Sequence, residues 1–222
     1  MTKALLLVLA LLPVQAGEDA PLVIKGARLI PVSGPDLATG TLVLRRGKIE
    51  ALGRDVEIPW DARVIDGTKK VVMPGYVEVH GFRGMDRTNE RIPSVPFVST
   101  FDAINPVDPA FQEALRQGIT TLGIHPGNET LIGGQSCVVR PVGVTTESMI
   151  VARNVALKIS LNPRPGMSRM AHMAALRREL QEAAEAAKVA ADKKDAEPDP
   201  RREPLLRALK GQLPVFIYCP TA

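Results

Sequence analysis

Apolar residues along the first third of the chain come in short, strand-length runs, and helical spacing appears only later. Leu22–Val32 (LVIKGARLIPV) opens the pattern, with Gly26 at a bend or bulge. Thr41–Leu44 and Lys48–Leu52 flank Arg46-Gly47, a hairpin turn in which glycine takes a positive φ at little cost. Asp66-Gly67 then turns Ala62–Ile65 into Lys70–Met73. Short β-rich segments at this spacing predict a small β-sandwich-like domain over residues 20–73.

From Pro74 the pattern changes to strand followed by helix. Tyr76–Phe82 reads as a strand whose alternation sets Tyr76, Glu78, His80 and Phe82 on one face. Residues 84–106 are irregular and proline-bearing, as a loop over a barrel mouth would be. Asp108–Gln117 has helical spacing, with Asp108 as N-cap before Pro109 and Gly118 as the stop. Ile119–His125, Ser136–Val142, Ala156–Leu161 and Pro214–Cys219 read as strands, with a glycine-rich loop over Pro126–Gln135. The longest helix spans Ser168–Asp192, with an apolar stripe of Met173, Leu176, Leu180, Ala184 and Ala187. A charged, proline-bearing break, Asp192–Arg202, precedes a short helix at Glu203–Lys210. The expected class is α/β with parallel strands.

The first sixteen residues stand apart. Lys3 supplies a positive start, Ala4–Val14 is an apolar run, and Val14-Gln15-Ala16 has the form of a cleavage site. The run is shorter than the about 20 apolar residues of a spanning helix. The expectation is a signal peptide over 1–16 and an exported protein, periplasmic or secreted, with no stable membrane span. Export permits a disulfide between Cys137 and Cys219, although a small buried hydrophobe is the commoner role for cysteines in such apolar runs.

Composition narrows the function. The 45% hydrophobic content supports a folded core, and a net charge of +4, with 4% aromatics, gives no basic stripe or stacking platform for nucleic acid. Only three histidines occur, at 80, 125 and 172.

Val71–Arg83 (VVMPGYVEVHGFR) carries the most specific wording. It resembles the passage in amidohydrolase-superfamily proteins from a small β-domain into a metal-bearing β/α barrel, where Pro-Gly is followed by apolar residues, an acid and His-x-His. Pro74, Gly75, Glu78 and His80 keep that pattern, and Phe82 stands at the second histidine. LVLRRGKIEALG and ARVIDGTKKVVMPG are similar to the family's N-terminal region. ITTLGIHPGNETLIGGQSCVVRP, ALKISLNPRPG and PLLRALKGQLPVFIYCP resemble successive barrel segments of imidazolonepropionase-like members. The resemblance implies a partial, roughly half, TIM-type β/α barrel over residues 74–222, since a complete barrel takes about 250 residues.

The same resemblance implies the chemistry to look for. Relatives hold one or two metal ions through the His-x-His pair, a middle-strand Lys or Glu, two later histidines and a final aspartate. The metal activates a water that attacks a C–N bond. Here His80 matches the first histidine as a vestigial ligand, Lys158 is retained, and Tyr218 and Pro220 stand where later histidines are expected. His125, which follows a strand, is the speculative second ligand, and with His80 and the Glu78 carboxylate it would form a substitute site. His172 reads as solvent-facing or half-buried. Ile132–Gln135 could offer backbone N–H groups to an anion, though a plain turn is the commoner role. Ser136 and Ser160 have no identifiable His–Asp partners.

The favoured expectation is a degenerate or truncated amidohydrolase-like protein, a pseudoenzyme without hydrolysis of its own and without a cofactor. The alternatives are an active metal-dependent hydrolase, using zinc through a substitute site or a partner chain, and a fragment. A half barrel leaves strand edges open, so self-association or a covering partner protein is expected, with Val215–Cys219 as the contact.

Overall fold

The structure, a computed structural model, describes residues 20–192 and 199–220; the expected signal peptide lies outside the described residues. The chain divides into two compact units, Met1–Pro74 and Gly75–Ala222.

In the first unit five strands share one sheet. They are β1 (Leu22–Leu29), β2 (Leu37–Arg45), β3 (Lys48–Gly53), β4 (Arg63–Asp66) and β5 (Val71–Val72). β1 lies antiparallel to β2, and β2 antiparallel to β3. The β2–β3 turn has positive φ at both Arg46 and Gly47, the mirror-image turn that matches strand twist. Gly26, at φ +79°, sits where the β1–β2 register slips, as a bulge. The Asp66-Gly67 bend works differently from the expected reversal. β4 and β5 do not pair with each other; both run parallel to β1, and Gly67 donates its N–H to the Lys25 carbonyl at 2.8 Å. A Cβ at Gly67 would lie 2.8 Å from that of Ala27, so the close approach needs glycine. Among the described residues of this unit, Val23, Ala27, Leu29, Leu42 and Val43 are the buried hydrophobics.

The second unit holds a five-stranded sheet of β6 (Tyr76–Gly81), β7 (Ile119–Ile124), β8 (Ile132–Val139), β9 (Ile150–Ser160) and β10 (Val215–Tyr218), in the order β10-β9-β8-β7-β6. Here the all-parallel expectation is corrected. β6 and β7 are parallel, as are β9 and β10, but β8 runs antiparallel to both its neighbours. The chain between Ile124 and Ile132, and again between Val139 and Ile150, is too short for a parallel crossover, which takes about a dozen residues or more.

β8 begins four residues earlier than its sequence suggested, inside the stretch read as a loop. Its Gly134 admits the irregular segment before it: a Cβ there would lie 2.6 Å from the Val98 carbonyl oxygen. Ile132 donates its N–H to Pro93 O, and Gln135 donates to Val98 O. Those two donors are therefore spent on the chain itself, which leaves Ile132 and Gln135 none to offer an anion. β9 is also longer than expected, starting at Ile150 after a single helical turn, α2 (Thr146–Met149).

Two hydrophobic clusters hold this sheet. One gathers Phe111, Ala114, Leu122, Ile124, Cys137, Val139 and Met149 around α1 (Pro109–Arg116), whose N-cap is Asp108 accepting from Ala110 N–H at 2.8 Å. The other gathers Ile132, Leu157, Leu176, Ala183, Leu205 and Leu213 beneath α3 (Arg169–Asp192) and α4 (Glu203–Leu209). The buried face of α3 carries Leu176, with Met173 and Leu180 packed partly buried against the same cluster as expected, but Ala184 is exposed and the remaining buried positions are His172 and Ala183. His172 is thus fully buried rather than solvent-facing. Among the described residues no helix is long and apolar enough to cross a membrane.

Candidate active site

Three strands deliver the polar groups of the site. His80 stands near the end of β6, His125 directly after β7, and Lys158 near the end of β9. Lys158 is almost wholly buried, and its Nζ lies 2.5 Å from His80 Nε2. The ammonium is the donor, so the His80 Nε2 lone pair is the acceptor and its ring proton sits on Nδ1. Burial pushes the Lys158 pKa down to about 8. His80 is held below its usual pKa, first by burial and then by the Lys158 charge, with Glu78 pulling the other way.

His125 is buried between two partners. Its Nε2–H donates to the Val79 carbonyl at 2.9 Å, which leaves Nδ1 to accept the Ser136 hydroxyl at 2.7 Å. Both ring nitrogens are therefore engaged and the neutral form is favoured. Burial is the main reason its pKa falls to about 4; the Val79 hydrogen bond opposes this, while His80 and Lys158 add repulsion. The expectation that Ser136 lacks a histidine partner is corrected, since the β7–β8 pairing places it beside His125. Ser160 donates to the Asn128 carbonyl at 2.6 Å and also has no catalytic geometry.

Aromatic rings occupy the positions where further ligands were sought. The His80 and His125 rings stack at 4.8 Å, and Phe216 packs on His125 at 4.1 Å. Phe82 meets His80 edge-on at 5.6 Å, and the Tyr218 ring lies 5.7 Å from Lys158 Nζ. The Glu78 carboxylate is turned to Arg83, whose Nε donates to it at 3.0 Å. Cys137 is buried and receives the Thr100 hydroxyl at 3.3 Å, whereas Cys219 is exposed; both are free thiols.

These residues do not fit a catalytic zinc, which takes three protein ligands and an open position. His80 offers Nε2 to Lys158, His125 has no spare nitrogen, and Glu78 is committed to Arg83. Among the described residues no three His, Cys, Asp or Glu side chains converge. The proposed set of His80, His125 and a carboxylate is thus not assembled as a metal centre. A cavity of about 440 Å³ adjoins the site, lined by Asp86, Arg87, Thr100, Asp102, Pro126 and Gly134 among others, but neither His80 nor Lys158 faces it.

Two features escaped the sequence reading. His172 donates from Nε2 to the Ser160 carbonyl at 2.9 Å, and its Nδ1 is buried without a partner, as is Asn128 Oδ1. Its place on the stripe with Leu176 was the available signal. The Lys158–His80 bond spans 78 residues, and its only trace in sequence was that each residue stood near the end of a predicted strand.

No family model matches the chain. It is 28% identical over 114 residues to the amidohydrolase tasK of Hapsidospora irregularis, covering 46% of this chain and 12% of that protein. It is 41% identical over 59 residues to a dihydroorotase of Anaeromyxobacter dehalogenans, covering 27% of this chain and 14% of the relative. Among solved structures, an amidohydrolase from Thermotoga maritima superposes with a TM-score of 0.81 at 26% identity, over 89% of this chain and 58% of that one. In sequence and in fold the chain is thus similar to proteins of the amidohydrolase superfamily. It spans only 12% to 14% of the length of the two curated relatives named here.

Proposed function

We propose that this chain is an amidohydrolase-like protein without hydrolysis of its own, acting as a binding or partner subunit. The observation that carries the reading is the hydrogen bond from Lys158 to His80 Nε2, which occupies the lone pair a metal would need. Phe82 and Tyr218 beside it are poor replacements for imidazole ligands. In this reading the polar cluster ties β6, β7, β8 and β9 together at one end of the sheet, and its role is structural. The sheet of the second unit is taken as part of a β/α barrel, and the first unit as the small β-sandwich-like domain that accompanies it in relatives. The N-terminal sixteen residues are taken as a signal peptide, so the protein would work outside the cytoplasm; a mature N-terminus at Gly17 in secreted material is the outcome expected from N-terminal sequencing.

Purified protein should contain no stoichiometric zinc by elemental analysis and should turn over no cyclic amide, ureide or dipeptide above background. One metal per chain, lost together with hydrolysis in His80→Ala, would overturn the proposal in favour of an active hydrolase.

A further inference from the structure

Apart from the His80–Lys158 cluster, a buried polar group gathers around Ser160 at the end of β9. Ser160 is wholly buried; its carbonyl accepts from His172 Nε2–H at 2.9 Å, and its hydroxyl donates to the Asn128 carbonyl at 2.6 Å. The same hydroxyl accepts from the Asn162 N–H at 3.1 Å. Three segments of chain meet there: the stretch after β7 with Asn128, the end of β9, and the first turn of α3 with His172.

Two atoms of this group are left over. His172 is wholly enclosed, and its Nδ1 has no hydrogen-bond partner among the described residues. Oδ1 of Asn128 is likewise inaccessible and unpartnered. Nε2 carries the ring proton that goes to Ser160, so the neutral imidazole keeps a bare lone pair at Nδ1. A second proton there would bury a charge, and among the described residues no carboxylate is bonded to the ring to balance it. Both leftover atoms are therefore acceptors. What they lack is a small species with two donors, and folded chains satisfy such buried groups with ordered water.

We propose that one water molecule is enclosed beside Ser160, donating one proton to His172 Nδ1 and the other to Asn128 Oδ1. The chemistry selects water over other donors. A transition metal takes three or four ligands, whereas two neutral atoms are on offer, and among the described residues no metal-binding group of side chains converges. An ammonium or alkali ion would bring a buried charge with no anion beside it. Water brings two donors and no charge. It would join the loop after β7 to the first turn of α3 at a point where their side chains share no direct bond. This inference is independent of whether the chain hydrolyses anything.

A crystal structure of the whole chain, purified in chelator, and NMR of the His172 ring together test it. The expected result is one ordered peak at hydrogen-bond distance, about 2.7–3.2 Å, from both atoms. His172 should be the Nε2–H tautomer, and a slowly exchanging water should transfer magnetisation to its carbon-bound ring protons. Asn128→Leu removes one acceptor and should lose both the peak and the transfer, while the His172–Ser160 bond persists. Should that variant fail to fold, the wild-type measurements decide by themselves. An Asn128 amide turned to donate Nδ2–H directly to His172 Nδ1, a proton on Nδ1, a peak with the anomalous signal of a metal, or neither peak nor transfer would each overturn the proposal. So would a water retained in folded Asn128→Leu, because Asn128 would then not be its second acceptor.

Discussion

Lys158 Nζ and His80 Nε2 lie 2.5 Å apart, so the lysine of the fourth strand of the sheet satisfies the histidine of the first. A buried ammonium is costly, and this one has a neutral acceptor rather than a carboxylate to offset its desolvation. Lys158→Met, which keeps the volume and removes the charge, should therefore leave stability at neutral pH unchanged or raised. The half-exposed His80 nitrogen can turn to water, so the change should stay within about 1 kcal/mol of neutral or be stabilising. Urea denaturation checks this, and a loss of 3 kcal/mol or so would mean that the lysine is a net stabiliser.

The same pair sets an alkaline signature. Lys158 titrates at about 8 in the folded chain, against about 10.4 for an unfolded lysine. Between those values the unfolded state binds the extra proton, so stability should rise with pH across that window. Below pH 8 both states are protonated and the penalty is fully present, on the order of 2–3 kcal/mol. The expected readout is a melting temperature that gains on that of Lys158→Met between pH 8 and 10; parallel curves would refute it.

His125 gives the acid limb. Its pKa of about 4 lies below the unfolded value of about 6.5, so the unfolded state takes up a proton first as pH falls. Stability should drop between pH 6.5 and 4, by on the order of 2–3 kcal/mol in total. Carboxylates titrate in the lower part of the same range, so the contribution is read as the difference between wild type and His125→Phe. Without such a difference, His125 is not held neutral.

Ser136→Ala should cost about 1–3 kcal/mol, because it leaves His125 Nδ1 a buried acceptor with no donor. A double-mutant cycle with His125→Phe should recover most of that loss, since with both partners removed neither the hydroxyl nor Nδ1 is left unsatisfied and only the Val79 carbonyl has lost a donor. Additive losses would show that the hydroxyl and the ring are not coupled.

Local chemistry was legible in sequence where one residue dictates one geometry. The Arg46-Gly47 turn, the Gly26 bulge and the Asp108-Pro109 helix start all follow from φ preference or a single side-chain bond. Strand direction was not, because alternation and apolar content are the same in parallel and antiparallel strands, and only connection length separates them. β8 was cut short for a related reason. Gly133 and Gly134 read as loop residues, yet in the fold the missing side chain of Gly134 lets the Val98 segment lie against the strand, and that of Gly133 leaves room for Pro126. In the site, the expectation that Phe82, Tyr218 and Pro220 stand at ligand positions came only from the resemblance in the wording around them. The bonds that employ His80, His125 and His172 were invisible, since each joins groups whose spacing in sequence carries no periodic signal.

Rebuilding the first-strand motif tests the proposed lack of metal chemistry. Phe82 lies 5.6 Å from His80 and is 40% exposed, so Phe82→His can be accommodated without opening the core. The new imidazole would stand beside a histidine whose Nε2 already accepts from Lys158. Metal binding must then displace that bond, and it gains two ligands at most. Structural zinc sites reach about 10–16 kcal/mol only with a full ligand set, so the single variant should bind zinc weakly and turn nothing over. Adding Lys158→Met frees the His80 nitrogen, and the double variant should bind zinc more tightly than Phe82→His alone. Neither should hydrolyse, because Tyr218 supplies no imidazole on the neighbouring strand and, among the described residues, no carboxylate joins the cluster to move the proton. Calorimetric zinc titration of both variants checks the order, and equal affinities would show that Lys158 is not what keeps His80 from a metal. Turnover by either variant would show that the catalytic machinery is more complete than this site implies.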